Sequence, residues 1–173
     1  MAKQKISLHT YQQDILARLK SVKDNKSSAV ISRLGIRVAN KNYLVSLADI
    51  SEVVAVPEVK KIPLTRDWLL GIANVRGNLA AITDLARFLG ENVQQISSDS
   101  RVLLAHARFG VNAGILIERL IGLRDVNTMQ LQQDILGEHV WQSKTYQDEN
   151  KEDWQEINME ALMAEKEFLQ VAI

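Results

Sequence analysis

The sequence predicts a mainly β protein with a helix near each end and a short helix in the middle. From residue 30 the helical period gives way to short apolar runs, and at Leu34, Ile36 and Val38 apolar side chains recur at every second position, the period of a half-buried strand. Turn-forming residues interrupt these runs at short intervals, which is typical of small barrels and sandwiches. The helical period of three to four residues is confined to the two ends and one short central segment.

Residues 10–23 are predicted to form an amphipathic helix. Thr10 and Gln13 form a capping box at its start. The apolar side chains at helical spacing are Leu8, Tyr11, Ile15, Leu19 and Val22. This stripe either packs on the rest of the protein or binds a partner helix. We therefore divide the chain into an N-terminal helix and linker, 1–29, and a main domain, 30–173.

Three strands are predicted before Pro57. In the first strand, apolar side chains alternate with polar or small ones, at Leu34, Ile36 and Val38. A turn at 39–42 leads to the second strand at 43–47. The third strand, 51–56, ends at the proline.

A second hairpin and a short helix are predicted in the middle of the chain. Strands 72–75 and 79–83 flank Gly77-Asn78, and glycine there can adopt the positive φ that a tight turn requires. Asp84 is the predicted N-cap of a helix over 85–89.

The hydrophobic pattern of the first half recurs 70 residues later. A further hairpin is predicted at 102–108 and 113–117, and the shift places Ile50 on Leu120 and Val53 on Leu123. The match is in pattern rather than identity, so it either reflects two similar β-units or arises by chance. A connection over residues 127–134, strands 139–147 and 152–157, and a helix over 158–168 complete the expected order.

Composition excludes several classes of protein. The 173 residues include no cysteine, which excludes disulfides, thiolate metal sites and a cysteine nucleophile. The three histidines are widely spaced, and no phosphate-binding glycine loop or hydrolase motif is present, so we predict no enzyme, metal or cofactor. The 21 basic residues equal the 21 acidic ones, which argues against nucleic-acid binding, although a small-barrel nucleic-acid module remains the alternative of another class.

The charge is unevenly distributed along the chain. Residues 138–173 carry three lysines against nine acidic residues, a net charge of −6. This acidic end is either a solvated face or a docking surface for a basic partner. No run of roughly 18 apolar residues is present. We therefore expect a cytoplasmic protein without direct membrane insertion.

Two charged residues lie in unexpected places. Arg76 ends an apolar strand just before Gly77, and Glu52 lies inside another apolar strand. A buried unpaired charge is costly, so the two side chains either pair with each other or point separately to water. We predict that they pair.

The segment from Gly71 to Gly77, with Asn74 and Arg76, followed by Asp84-Leu85, resembles the signature of the CheW-like domain, an adaptor of bacterial chemosensory arrays. The resemblance extends over about residues 31–157. Two positions depart from the common pattern: Val75 replaces leucine and Ala81 replaces proline.

The resemblance implies a fold of two small five-stranded SH3-like β-barrels and a function without catalysis. It implies an adaptor that bridges the cytoplasmic tip of a methyl-accepting chemoreceptor and the regulatory domain of a CheA-like histidine kinase. Within the family, the sequence is most similar to the branch that serves type IV pilus twitching motility. The alternative within the family is a flagellar chemotaxis adaptor.

The family resemblance also suggests where the partners bind. Glu52, Asn74, Arg76 and Gly77 are the expected polar contacts. A receptor helix would lie in an apolar groove between the barrels, walled by Ile50, Val54, Leu120 and Leu123. The alternative is that these four apolar residues belong to the barrel cores.

Overall fold

The computed structural model describes residues 32–92, 95–133 and 139–173. The strands are β1 (Ser32–Val38), β2 (Lys41–Ser46), β3 (Ile50–Ala55), β4 (Leu69–Val75), β5 (Asn78–Asp84), β6 (Arg101–Ala105), β7 (Ala113–Ile117), β8 (Arg119–Asp125), β9 (Gln130–Gln133), β10 (Gln142–Gln147) and β11 (Asp153–Ile157). The α-helices are α1 (Leu85–Phe88), α2 (Met159–Ala164) and α3 (Lys166–Leu169). Short 3-10 turns lie at Leu47–Asp49, Ala107–Phe109 and Val126–Thr128.

The strands form two sheets, which confirms the predicted mainly β fold. The first sheet has six strands in the order β8-β1-β2-β11-β10-β9, and the second has five in the order β3-β6-β7-β5-β4. The first sheet therefore has one strand more than the family resemblance implied. The additional strand is β9, in the segment expected to be a connection. Its sequence, Gln-Leu-Gln-Gln, lacks the apolar alternation of a strand because this short edge strand covers no core.

Both sheets curl so that their edge strands approach each other. In the five-stranded sheet, the chain that leaves β3 pairs with the opposite edge, where Lys60 and Ile72 exchange backbone hydrogen bonds of 2.8 and 2.9 Å. In the six-stranded sheet, the edge strands β8 and β9 are consecutive and joined by one 3-10 turn.

The 70-residue repeat is visible in the strand pairing. The hairpin β1-β2 is followed by β3, which leaves for the other sheet and pairs with β6. The hairpin β6-β7 is followed by β8, which leaves for the first sheet and pairs with β1. The two halves thus exchange their third strands. In each sheet, the second strand of a further hairpin pairs in parallel with one of these strands, β5 with β7 and β11 with β2.

Three hydrophobic clusters follow from this exchange. One fills the interior of the five-stranded sheet around Ile82, Val102 and Leu116, and one fills the six-stranded sheet around Leu44 and Trp154. The largest cluster contains side chains of both sheets, from β1, β2, β6 and β7, and we call it the inter-sheet cluster. All five residues of β7 are buried because alternate side chains serve two different clusters.

Local details correct two expectations. The turn between β4 and β5 is Arg76-Gly77 rather than Gly77-Asn78, because Val75 pairs directly with Asn78. The expected C-terminal helix is broken at Glu165, where the backbone is extended, and this break separates α2 from α3. The expected helix at 10–23 lies outside the described residues.

Candidate partner-binding site

The predicted pair between Glu52 and Arg76 is confirmed. Oε1 of Glu52 lies 2.6 Å from Nη2 of Arg76. The Glu52 side chain is 20% exposed, whereas the Arg76 side chain is 75% exposed. The mostly buried carboxylate of Glu52 therefore fixes the position of the Arg76 side chain, which is itself largely exposed to solvent.

The backbone of the β4-β5 turn holds Arg76 at the tip of the hairpin. Arg76 and Gly77 have φ angles of 52° and 87°, the two successive positive values of a type I′ hairpin turn. The Asn74 side chain stabilises this turn, since its Oδ1 accepts a hydrogen bond of 2.8 Å from the backbone N–H of Gly77. Positive φ is unfavourable for arginine by about 1–2 kcal/mol. Asn74 and Gly77, both predicted as partner contacts, thus shape the turn that presents Arg76.

A β-bulge in β3 sets the direction of Glu52. Ile50 pairs with Ala105 and Glu52 pairs with Leu104, so Ser51 is an extra residue on β3. The Ser51 hydroxyl donates to the carbonyl oxygens of Leu104 and Ala105, at 3.2 and 3.3 Å. A bulge reverses the alternation of the strand beyond it, which turns Glu52 toward the hairpin tip.

The four apolar candidates lie in three different environments. Ile50 and Leu120 are half-buried and pack against the inter-sheet cluster, as the 70-residue equivalence implies. Leu123 is exposed, with 37% of its surface accessible. Val54 instead packs against the cluster inside the five-stranded sheet.

Val53 was missed among the sequence candidates. Because of the bulge, Val53 rather than Val54 shares the inter-sheet cluster with Ile50. The signal for it was already present in the repeat, which places Val53 on Leu123. An equivalent bulge lies in β8, where Ile121 is the extra residue between the paired Leu120 and Gly122.

Asp84 has a structural role. Its side chain is almost fully buried, and its Oδ1 accepts hydrogen bonds from the backbone N–H groups of Ala86 and Arg87 at 3.1 and 3.3 Å. Burial raises the pKa of Asp84, and the hydrogen bonds from Arg87 and Ala86 oppose this shift only in part. The Asp-Leu part of the motif thus caps α1, as predicted.

Neither a metal centre nor a membrane span is evident in the described segments. There, no three histidine, aspartate or glutamate side chains come close enough to hold an ion. No helix in the same segments is long and apolar enough to cross a bilayer.

The family model for the CheW-like domain matches residues 33–167, and the chain belongs to this family. Members of this family serve as scaffolds or adaptors in chemotaxis-type signalling.

Two curated relatives align with part of the chain. Over 93 residues the chain is 30% identical to the protein PilI of Pseudomonas aeruginosa, and the alignment covers 54% of this chain and 52% of that protein. Over 98 residues it is 27% identical to the chemotaxis protein CheW of Helicobacter pylori, with 57% of this chain and 59% of that protein covered. The chain thus spans between half and three-fifths of the length of these relatives.

A solved structure shares the fold. The scaffolding protein TtCheW of Thermoanaerobacter tengcongensis superposes with a TM-score of 0.66, covering 80% of this chain and 95% of that chain. Sequence identity is 20%, so this likeness concerns the fold alone.

Proposed function

We propose that this protein couples the cytoplasmic tip of a chemoreceptor to the regulatory domain of a histidine kinase, in an array that controls type IV pilus twitching motility. The observation that carries the coupling role is the presence of two chemically different surfaces in one small domain. One is the polar hairpin tip with Arg76 paired to Glu52. The other is an apolar surface at the edge of the inter-sheet cluster, formed by Ile50, Val53, Leu120 and Leu123, which we call the apolar margin.

The apolar margin suits a receptor helix. Ile50, Val53 and Leu120 are half-buried against the inter-sheet cluster, and Leu123, the equivalent of Val53 in the repeat, is exposed on β8. These residues come from β3 and β8, the strands that the two halves exchange. A helix binds such a margin by placing apolar side chains on it at spacings of three and four.

The polar hairpin tip suits the kinase. Arg76 presents several N–H donors that can bind a carboxylate or backbone carbonyls of a docked domain. Its position is defined before binding, because the turn and Glu52 both hold it. Recruitment to membrane-associated arrays would then follow from the receptor contact rather than from lipid insertion.

The pilus branch rests on the similarity to PilI. A flagellar chemotaxis adaptor is the second candidate, and the similarity to CheW of Helicobacter pylori favours it. Deletion of the gene distinguishes them. Loss of twitching with normal swimming supports the pilus branch, whereas the reverse result supports the flagellar branch.

The coupling role is tested by binding of the purified protein to a receptor tip and, separately, to a kinase regulatory domain, both from the same genome. We expect Leu123→Asp to abolish receptor binding and leave kinase binding unchanged. Leu131→Asp is the matched control, since Leu131 is an exposed leucine on β9 of the same sheet. Arg76→Ala should weaken kinase binding.

Two outcomes contradict the proposal. Absence of binding of the unmodified protein to both partners would overturn the adaptor role itself. Normal receptor binding by the Leu123→Asp variant would overturn the assignment of the apolar margin as the receptor-binding surface. Val54→Asp and Leu120→Asp are less decisive, because both side chains also contact core clusters and the variants can unfold.

A further inference from the structure

The start of β3 is tied to the end of β6 by three contacts. The backbone carbonyl of Asp49 accepts a hydrogen bond of 2.8 Å from the N–H of His106. The Asp49 carboxylate forms an ion pair with the guanidinium of Arg108. The Ser51 hydroxyl donates to carbonyl oxygens of β6. All three contacts are made by residues within three positions of Glu52 in the chain.

Arg108 is itself oriented by its neighbours. Its guanidinium carbon lies 4.9 Å from the centre of the Phe109 ring, a cation–π distance. Its backbone N–H donates to Nδ1 of His106 at 3.1 Å, which stabilises the 3-10 turn after β6. The Asp49 side chain is 14% exposed and that of Arg108 is 49% exposed, so the pair covers the junction from outside.

The bulge at Ser51 decides where Glu52 points. Side chains alternate along a strand, so a shift by one residue would carry Glu52 to the opposite face of β3 and away from Arg76. The ion pair between Glu52 and Arg76, at 2.6 Å, therefore requires that β3 keep its present pairing with β6 on both sides of the bulge. The contacts of Asp49 lie immediately before the bulge and fix the register on that side.

The repeat shows that this clamp is specific to one half. The bulges at Ser51 and Ile121 lie 70 residues apart, in β3 and β8. In the other half of the repeat, Arg119 corresponds to Asp49 and Val38 corresponds to Arg108. An arginine and a valine cannot form an ion pair. The ion pair is thus present only on the bulged strand that carries Glu52.

We infer that Asp49 and Arg108 are a positioning pair for the partner-binding site, which holds the Ser51 bulge in the register that directs Glu52 to Arg76. The effect on the free protein follows from the structure alone. The effect on kinase binding rests on the proposed function.

The free protein is tested by amide hydrogen exchange of Asp49→Asn, Arg108→Ala and Arg108→Lys. Opening of the junction should accelerate exchange of the His106 amide by roughly fivefold or more in the first two variants. Arg108→Lys keeps the charge and should exchange like the unmodified protein. Glu91→Gln is the control, because it breaks a comparable ion pair, with Lys41, away from β3. Unchanged exchange at His106 in both Asp49→Asn and Arg108→Ala would overturn the inference.

The second readout is the affinity for the kinase regulatory domain. We expect Asp49→Asn and Arg108→Ala to weaken binding about fivefold or more, and Arg108→Lys and Glu91→Gln to retain it. Accelerated exchange with unchanged affinity would overturn the positioning role, and so would failure of Arg108→Lys to restore binding. If the unmodified protein binds no kinase, the proposed function fails while the exchange result still decides whether the clamp holds the junction. Should Asp49→Asn not fold, the two Arg108 variants suffice for both readouts.

Discussion

Glu52 and Arg76 lie at opposite edges of the five-stranded sheet, yet their side chains meet at 2.6 Å. Glu52 is on β3 and Arg76 follows β4, and three strands separate β3 from β4 in the sheet order. The contact is possible because the sheet curls until its edges approach, as the hydrogen bonds between Lys60 and Ile72 also show. The ion pair is therefore a consequence of barrel closure.

The ion pair should contribute little to stability. Arg76→Ala and Glu52→Ala are each expected to lower the free energy of unfolding by about 1 kcal/mol or less, because the arginine is mostly exposed. Urea denaturation of both single variants and the double variant measures the coupling. The same cycle on kinase affinity should be clearly non-additive, and strictly additive effects on binding would show that the two residues act separately.

Gly71 should be essential for closure of the five-stranded sheet. Its φ is 138°, and a Cβ there would lie 2.1 Å from the carbonyl oxygen of Lys60. Positive φ alone costs a non-glycine residue about 1–2 kcal/mol. Gly71→Ala is expected to lower the free energy of unfolding by more than this, because the backbone at Lys60 must also move. Gly90→Ala is the control, with a φ of 71° and open space around the Cβ. Equal loss of unfolding free energy in the two variants would contradict this account.

The segment after α2 should be a fixed part of the fold. The Phe168 ring is buried, stacked on Trp68 at 6.0 Å and edge-on to Phe88 at 5.3 Å. We expect Phe168→Ala to destabilise the protein by about 3–5 kcal/mol. Leu169→Ala, at the half-exposed neighbouring position, should have little effect. Denaturation followed by tryptophan fluorescence compares the two, and a small loss for Phe168→Ala would indicate a loosely held segment.

Asp84 should make the stability depend on pH in an unusual direction. Because burial raises the pKa of Asp84 in the folded state, the folded protein binds this proton more tightly than the unfolded chain. Its titration therefore adds stability as the pH falls through the folded pKa, and this gain is absent at neutral pH. Comparison with Asp84→Asn isolates the effect, because asparagine does not titrate. The stability of the unmodified protein relative to the variant should rise as the pH falls from 7 through the folded-state pKa of Asp84; a falling difference would contradict the raised pKa.

Much of the fold was predictable because the relevant signals are local. Alternation of apolar residues located strands such as β1, and Asp84 was predictable as a helix cap from its own position. The 70-residue repeat predicted two related β-units. The edge strand β9 was not predictable, since a strand that covers no core carries no apolar pattern.

The site depended more strongly on tertiary structure. The sequence by itself determined that Glu52 and Arg76 needed either a partner or water, and that a turn follows Asn74. It also indicated that β3 and β8 occupy corresponding places in a repeat. Only the tertiary structure decided that Glu52 faces Arg76 and that Val53 rather than Val54 lies at the inter-sheet cluster. The physical reason is that a bulge and the closure of a sheet are set by hydrogen bonds between residues far apart in the chain, which local periodicity does not encode.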